Sequence, residues 1–152
     1  MTYLLIIFII AVALAPLSHF VPSKRQRRIA RMREYAAVHG MFVEFRDLPG
    51  AGDRRDRTAG SSGGDIIYYG KRMPPRLGDA VTPGRWLVDQ EGWRSLDRRT
   101  AVPPELRELP TAVLAASVDG SSCGVYWREA GDEAQVEQIR GVLEAWSVVL
   151  LN

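Results

Sequence analysis

The first 23 residues contain no Lys, Arg, Asp or Glu, and no other feature limits so strongly what this chain can fold into. Residues 3–21 read Tyr-Leu-Leu-Ile-Ile-Phe-Ile-Ile-Ala-Val-Ala-Leu-Ala-Pro-Leu-Ser-His-Phe-Val. As a helix this run would reach roughly 28 Å at 1.5 Å per residue, close to the hydrocarbon thickness of a bilayer. A small core cannot bury Leu4 to Leu14 on every side of a helix. The sequence therefore predicts a transmembrane anchor over residues 1–23. Pro16 lies near its basic end, where a lost helical hydrogen bond is more easily replaced. A cleaved signal peptide begins with positive charge, whereas this chain begins Met-Thr-Tyr, so retention of the segment is expected.

Charge gives the expected direction. Residues 24–40 carry Lys24, Arg25, Arg27, Arg28, Arg31 and Arg33 against Glu34, a net of +5. The positive-inside rule places this flank in the cytoplasm. The expectation is a single-pass protein of the bacterial inner membrane, with its N-terminus periplasmic and its C-terminal domain cytoplasmic. Residues 41–152 carry a net of −3. A basic collar on a slightly acidic body lacks the broad positive face that a general nucleic-acid binder needs. One Cys excludes an internal disulfide and a four-Cys zinc site.

The collar itself reads as a basic juxtamembrane helix over 24–40. Ser23 is placed to cap its start and Gly40 to end it. Ile29, Met32 and Ala36 share one face, with Tyr35 beside them. Six cations near a helix start oppose the macrodipole, so compensation from outside the helix is expected. Anionic phospholipid headgroups, or an inner-membrane protein or complex, would supply it. Lys24, Arg25, Arg27, Arg28, Arg31 and Arg33 are therefore the candidate contact residues. The competing reading gives them no ligand and only the task of fixing topology.

Residues 41–152 read as a cytosolic α+β domain. Met41 to Arg46 alternates as a strand, and Ile66-Ile67-Tyr68-Tyr69 marks another. Between them, 49–64 holds no hydrophobic residue larger than Ala, so a flexible loop is expected there. Its glycines are not followed by Gly-Lys-Ser/Thr, which argues against a phosphate-binding loop. Arg85–Val88 and Trp93–Leu96 flank a turn ending at Gly92. Pro103 to Pro110 holds a helical turn. Ala112–Val118 and Cys123–Glu129 flank Asp119-Gly120-Ser121-Ser122 as a second hairpin. Val136, Ile139, Leu143, Trp146 and Leu150 recur at spacings of 3, 4, 3 and 4 behind Asp132, a good N-cap. The expected architecture is an antiparallel sheet of about six strands covered by a C-terminal amphipathic helix.

Chemistry-bearing residues are sparse. Cys123, Ser121 and Ser122 are candidate nucleophiles, but none pairs with a convincing base: His39 is distant in sequence and reads as a residue at the end of its helix. His19 falls at the expected membrane edge. Asp132-Glu133, and Asp53 with Asp56, are acidic pairs of the kind that bind cations, but they sit at a helix start and in an Arg-rich loop. No catalytic, cofactor or metal residue is assigned. The expected function is a membrane-anchored, non-catalytic accessory or interaction protein. The alternatives are an envelope-associated hydrolase and a lipid-binding module with a pleckstrin-like order of strands and a closing helix.

An apolar run followed by Pro22-Ser23-Lys24-Arg25-Gln26-Arg27-Arg28 and a basic helix to Arg33 resembles the small accessory subunit of the bacterial preprotein translocase. The likeness covers about residues 5–35. With Gly40 to Val43 and Val125-Tyr126-Trp127-Arg128-Glu129, the chain also resembles uncharacterised single-pass inner-membrane proteins of gammaproteobacteria. These resemblances imply an inner-membrane location and a protein partner there, and they name no catalytic residue.

Overall fold

Short runs rich in β-branched and aromatic residues build one antiparallel sheet, ordered β1-β2-β6-β5-β3-β4. In the computed structural model, residues 2–14, 22–50, 66–74, 81–97 and 100–151 are described. The strands are β1 Met41–Glu44, β2 Ile67–Arg72, β3 Gly84–Asp89, β4 Gly92–Ser95, β5 Val113–Val118 and β6 Ser122–Trp127. The helices are α1 Thr2–Leu14, α2 Lys24–Val38 and α3 Glu133–Leu151, with a short 3-10 helix at Pro104–Glu108. The strand β6 lies mid-sheet, pairing Tyr69 with Val125 on one side and Val125 with Ala116 on the other. Its residues Cys123, Val125 and Trp127 face the helices, as do Ile67 and Tyr69 of β2.

The core lies between this face and α2 with α3. From α3, Val136, Ile139, Leu143 and Trp146 are all buried. Trp146 meets Trp86 of β3 edge-on at 5.5 Å between ring centroids, and Tyr69 meets Trp127 likewise at 5.3 Å. Such pairs add to the area that the rings bury. Asp132 caps α3, its Oδ1 accepting from the amides of Ala134 and Gln135. The opposite sheet face carries a smaller cluster of Tyr68, Ala115 and Tyr126.

The structure corrects the membrane expectation. No helix among the described residues is long and apolar enough to cross a membrane. Among the described residues, α1 has 13 residues, which reach about 20 Å against the roughly 30 Å of a hydrocarbon core. The transmembrane element of the expected fold, and the single-pass topology derived from it, are withdrawn. Pro16, His19 and the rest of that run to Val21 lie outside the described residues. Most of the expected loop at 49–64 also lies outside them, while its first residue, Pro49, is buried.

Candidate functional site

The six basic residues of α2 divide into two groups. Lys24, Arg27, Arg28 and Arg31 stand at i, i+3, i+4 and i+7, so they form one stripe along the helix. All four are exposed. The other face of α2 holds Met32 and Ala36, both fully buried, with Ile29 and Tyr35 packed beside them. The helix is well anchored at its start despite the adverse charge. Ser23 Oγ accepts from the Gln26 amide at 3.2 Å, and Gln26 Oε1 accepts from the Ser23 amide at 2.8 Å. This reciprocal capping box satisfies two amides that the helix itself leaves open.

Arg33 turns toward the body. Its Nε donates to Glu129 Oε1 and its Nη2 to Glu129 Oε2, both at 2.7 Å. The Tyr69 hydroxyl donates to the same Oε1 at 2.9 Å. Glu129 is 4% exposed, so its charge depends on these partners. Its φ is +50°, a left-handed conformation that a non-glycine residue rarely takes. Burial, and then the adjacent Glu129 carboxylate, push the Tyr69 hydroxyl well above its ordinary value.

Two clefts flank α2. The larger, about 450 Å³, lies between the first turns of α2 and Arg128–Glu129 at the end of β6. Arg25, Gln26, Ile29 and Arg33 wall it from the helix. The second is about 250 Å³ and lies at the other end of α2, around Arg31, Glu34, Tyr35, Val38, His39 and Glu133. Val38 there is 76% exposed, and it stands seven residues beyond Arg31, on the line of the basic stripe.

A polar network stiffens this second end. The Tyr35 hydroxyl donates to Glu137 Oε2 at 2.8 Å. His39 stacks on the Tyr35 ring at 4.0 Å. Arg140 grips Glu137 with two bonds, at 2.7 and 2.6 Å, and reaches Glu144 at 2.6 Å. Lys71 of β2 donates to Glu144 at 3.3 Å. The hydrogen bonds from Arg140 and then Tyr35 hold the Glu137 carboxyl down at about 2.

The candidate nucleophiles do not converge with a base. Cys123 is buried beneath α3, its thiol directed at the Leu143 carbonyl at 3.9 Å. Burial pushes that thiol up to about 11, which disfavours the reactive thiolate. The Ser121 and Ser122 hydroxyls donate to Asp119 in the β5–β6 turn, at 2.8 and 3.2 Å. His39 is the C-cap of α2, with Nδ1 2.7 Å from the Tyr35 carbonyl oxygen. Among the described residues, no group of three His, Cys, Asp or Glu is placed to hold a metal ion. Asp132 is committed to capping α3, and Asp53 and Asp56 lie outside the described residues.

Arg128, Glu129 and Tyr69 were not singled out from sequence as site residues. The partners of Glu129 come from distant parts of the chain, and no local signal marks them. No family model matches the chain, and no curated protein or solved structure matches it. The resemblances to the translocase subunit and to single-pass inner-membrane proteins are therefore withdrawn. A basic segment after an apolar run is too common a pattern to define a family.

Proposed function

We propose that this chain is a non-catalytic binding module whose helix α2 receives an acidic segment of a protein partner. The observation that carries the reading is the continuity of the Lys24–Arg31 stripe with the exposed Val38 and the cleft beside Tyr35. Charge along a stripe steers an anionic partner, and a partly apolar cleft at its end gives that partner an anchor. The stripe spans about 10 Å along the helix. That length suits one or two turns of an acidic helix better than a nucleic-acid backbone, whose binding draws on many phosphate contacts. The partner-facing cations of this proposal are Lys24, Arg27, Arg28 and Arg31; Arg33 serves the fold.

The test titrates ¹⁵N-labelled full-length protein with a helical peptide of Glu and Leu. A single-stranded oligonucleotide and phosphatidylglycerol vesicles serve as the competing arms. Peptide shifts confined to residues 24–39, abolished by K24E/R27E/R28E/R31E and weakened by salt, are the expected result. Tighter binding of either competitor to the stripe, or peptide shifts mapping elsewhere, overturns the assignment.

A further inference from the structure

The larger cleft holds a different arrangement from the stripe. Arg25 from α2 and Arg128 from the end of β6 face it across about 450 Å³, with the Arg33–Glu129 pair forming its wall. Three guanidinium groups against one carboxylate give the lining a net charge of +2. Both Glu129 oxygens accept from Arg33, and one also accepts from Tyr69. That leaves the carboxylate poorly placed to compensate Arg25 and Arg128 as well. Ile29 adds an apolar surface on the α2 side. The pieces are held in place: the capping box fixes the first turn of α2, and the Arg33–Glu129 pair fixes the helix against the end of β6.

We infer that this cleft is a binding site for a phosphate monoester, with Arg25 and Arg128 as its direct ligands. A phosphate monoester carries about −1.5 to −2 at neutral pH, which complements the lining. A phosphate monoester has three terminal oxygens and can meet two guanidinium forks at once, whereas the two oxygens of one carboxylate are matched by a single fork, as in the Arg33–Glu129 pair. The group attached to the ester oxygen lies against Ile29. The site is independent of the α2 stripe, because it uses neither Lys24, Arg27, Arg28 nor Arg31.

The experiment is calorimetric titration of the full chain with inorganic phosphate and with phenyl phosphate, using sulfate as a control for non-specific anion binding. Saturable one-to-one binding is expected, tighter for phenyl phosphate because its ring contacts Ile29. Arg25→Gln with Arg128→Gln should weaken it by about tenfold or more, the loss expected when charge-assisted bonds are removed. The quadruple stripe variant should bind within about twofold of the parent, as expected for sites without shared partners. Circular dichroism of both variants establishes that they are folded. Absence of saturable phosphate binding, equal binding of sulfate, or retention of binding in the folded Arg25/Arg128 variant overturns the inference. Loss in the stripe variant alone also overturns it, and would assign the anion to the surface of the acidic-partner proposal.

Discussion

Arg33 and Glu129 lie 96 residues apart in the chain and join through two parallel hydrogen bonds of 2.7 Å. The pair connects the basic helix to the end of the central strand, and Glu129 is 4% exposed. Removing the arginine leaves a buried carboxylate with one neutral donor, Tyr69. Breaking a buried pair costs about 3–5 kcal/mol, and Arg33→Met is expected at the low end because the Arg33 side chain keeps partial exposure. Urea denaturation of R33M, E129Q and the double variant checks this. The double variant should be more stable than the sum of the singles predicts, by about 1–3 kcal/mol. Strict additivity would show that the pair is not coupled.

Glu137 gives a pH prediction of definite sign. Its carboxyl is held from 4.5 down to about 2, through Arg140 and Tyr35. A group depressed in the folded state stabilises above its unfolded pKa, and that contribution disappears as pH falls through the folded one. The stabilisation from this group should therefore be complete above about pH 4.5 and fade toward pH 2. A carbon-detected NMR titration should place the Glu137 midpoint near the lower limit, and Y35F should move it upward. An ordinary midpoint in the parent protein would contradict the network.

Two glycines near the β5–β6 turn should respond differently to alanine. A Cβ at Gly124 would stand 2.4 Å from the Tyr68 ring and 2.6 Å from the Tyr69 carbonyl oxygen. The backbone oxygen cannot turn aside as a side chain can, so Gly124→Ala should cost about 1–3 kcal/mol. At Gly120 a Cβ meets nothing within 4 Å, and Gly120→Ala should lie within about 0.5 kcal/mol of the parent. Paired thermal melts decide the comparison; equal stability of the two variants would mean that the Tyr68 ring is not seated over Gly124.

Cys123 should be inert in the native protein. Its thiol is buried and pushed up to about 11. Labelling by a disulfide reagent should be slow in buffer and fast in denaturant, since reactivity follows the thiolate and its access. Rapid native labelling at neutral pH would reopen the nucleophile reading.

The sequence carried the local part of this structure and little of the rest. Val136, Ile139, Leu143 and Trp146 repeat at helical spacing, and one stripe is enough to choose which face is buried. Cys123, Val125 and Trp127 alternate, and that pattern picks the face of β6 turned to the helices. By composition the six cations of α2 form one group. Their spacing already separates Lys24, Arg27, Arg28 and Arg31 from Arg25 and Arg33, because 100° per residue places these on different sides. The Arg33–Glu129 pair was invisible, since nothing local links residues so far apart. Glu129 read as the end of a strand, and its left-handed backbone carries no sequence mark because glycine is absent there. Hydropathy over 3–21 favours a spanning segment, whereas among the described residues no helix is long and apolar enough to span, α1 having 13 residues.

The position of β6 also bears on how the chain comes off the ribosome. Residues 41–72 can pair β1 with β2, and residues 84–118 can join β4, β3 and β5, yet the two halves share no strand until Ser122–Trp127 has been made. Each half would meanwhile present an open edge at β2 or β5, the kind of edge that recruits strands from other molecules. Because folding during synthesis proceeds from the N-terminus, nascent chains that stop before residue 122 should need chaperone protection. Those that extend beyond the end of β6 gain the strand that closes the gap.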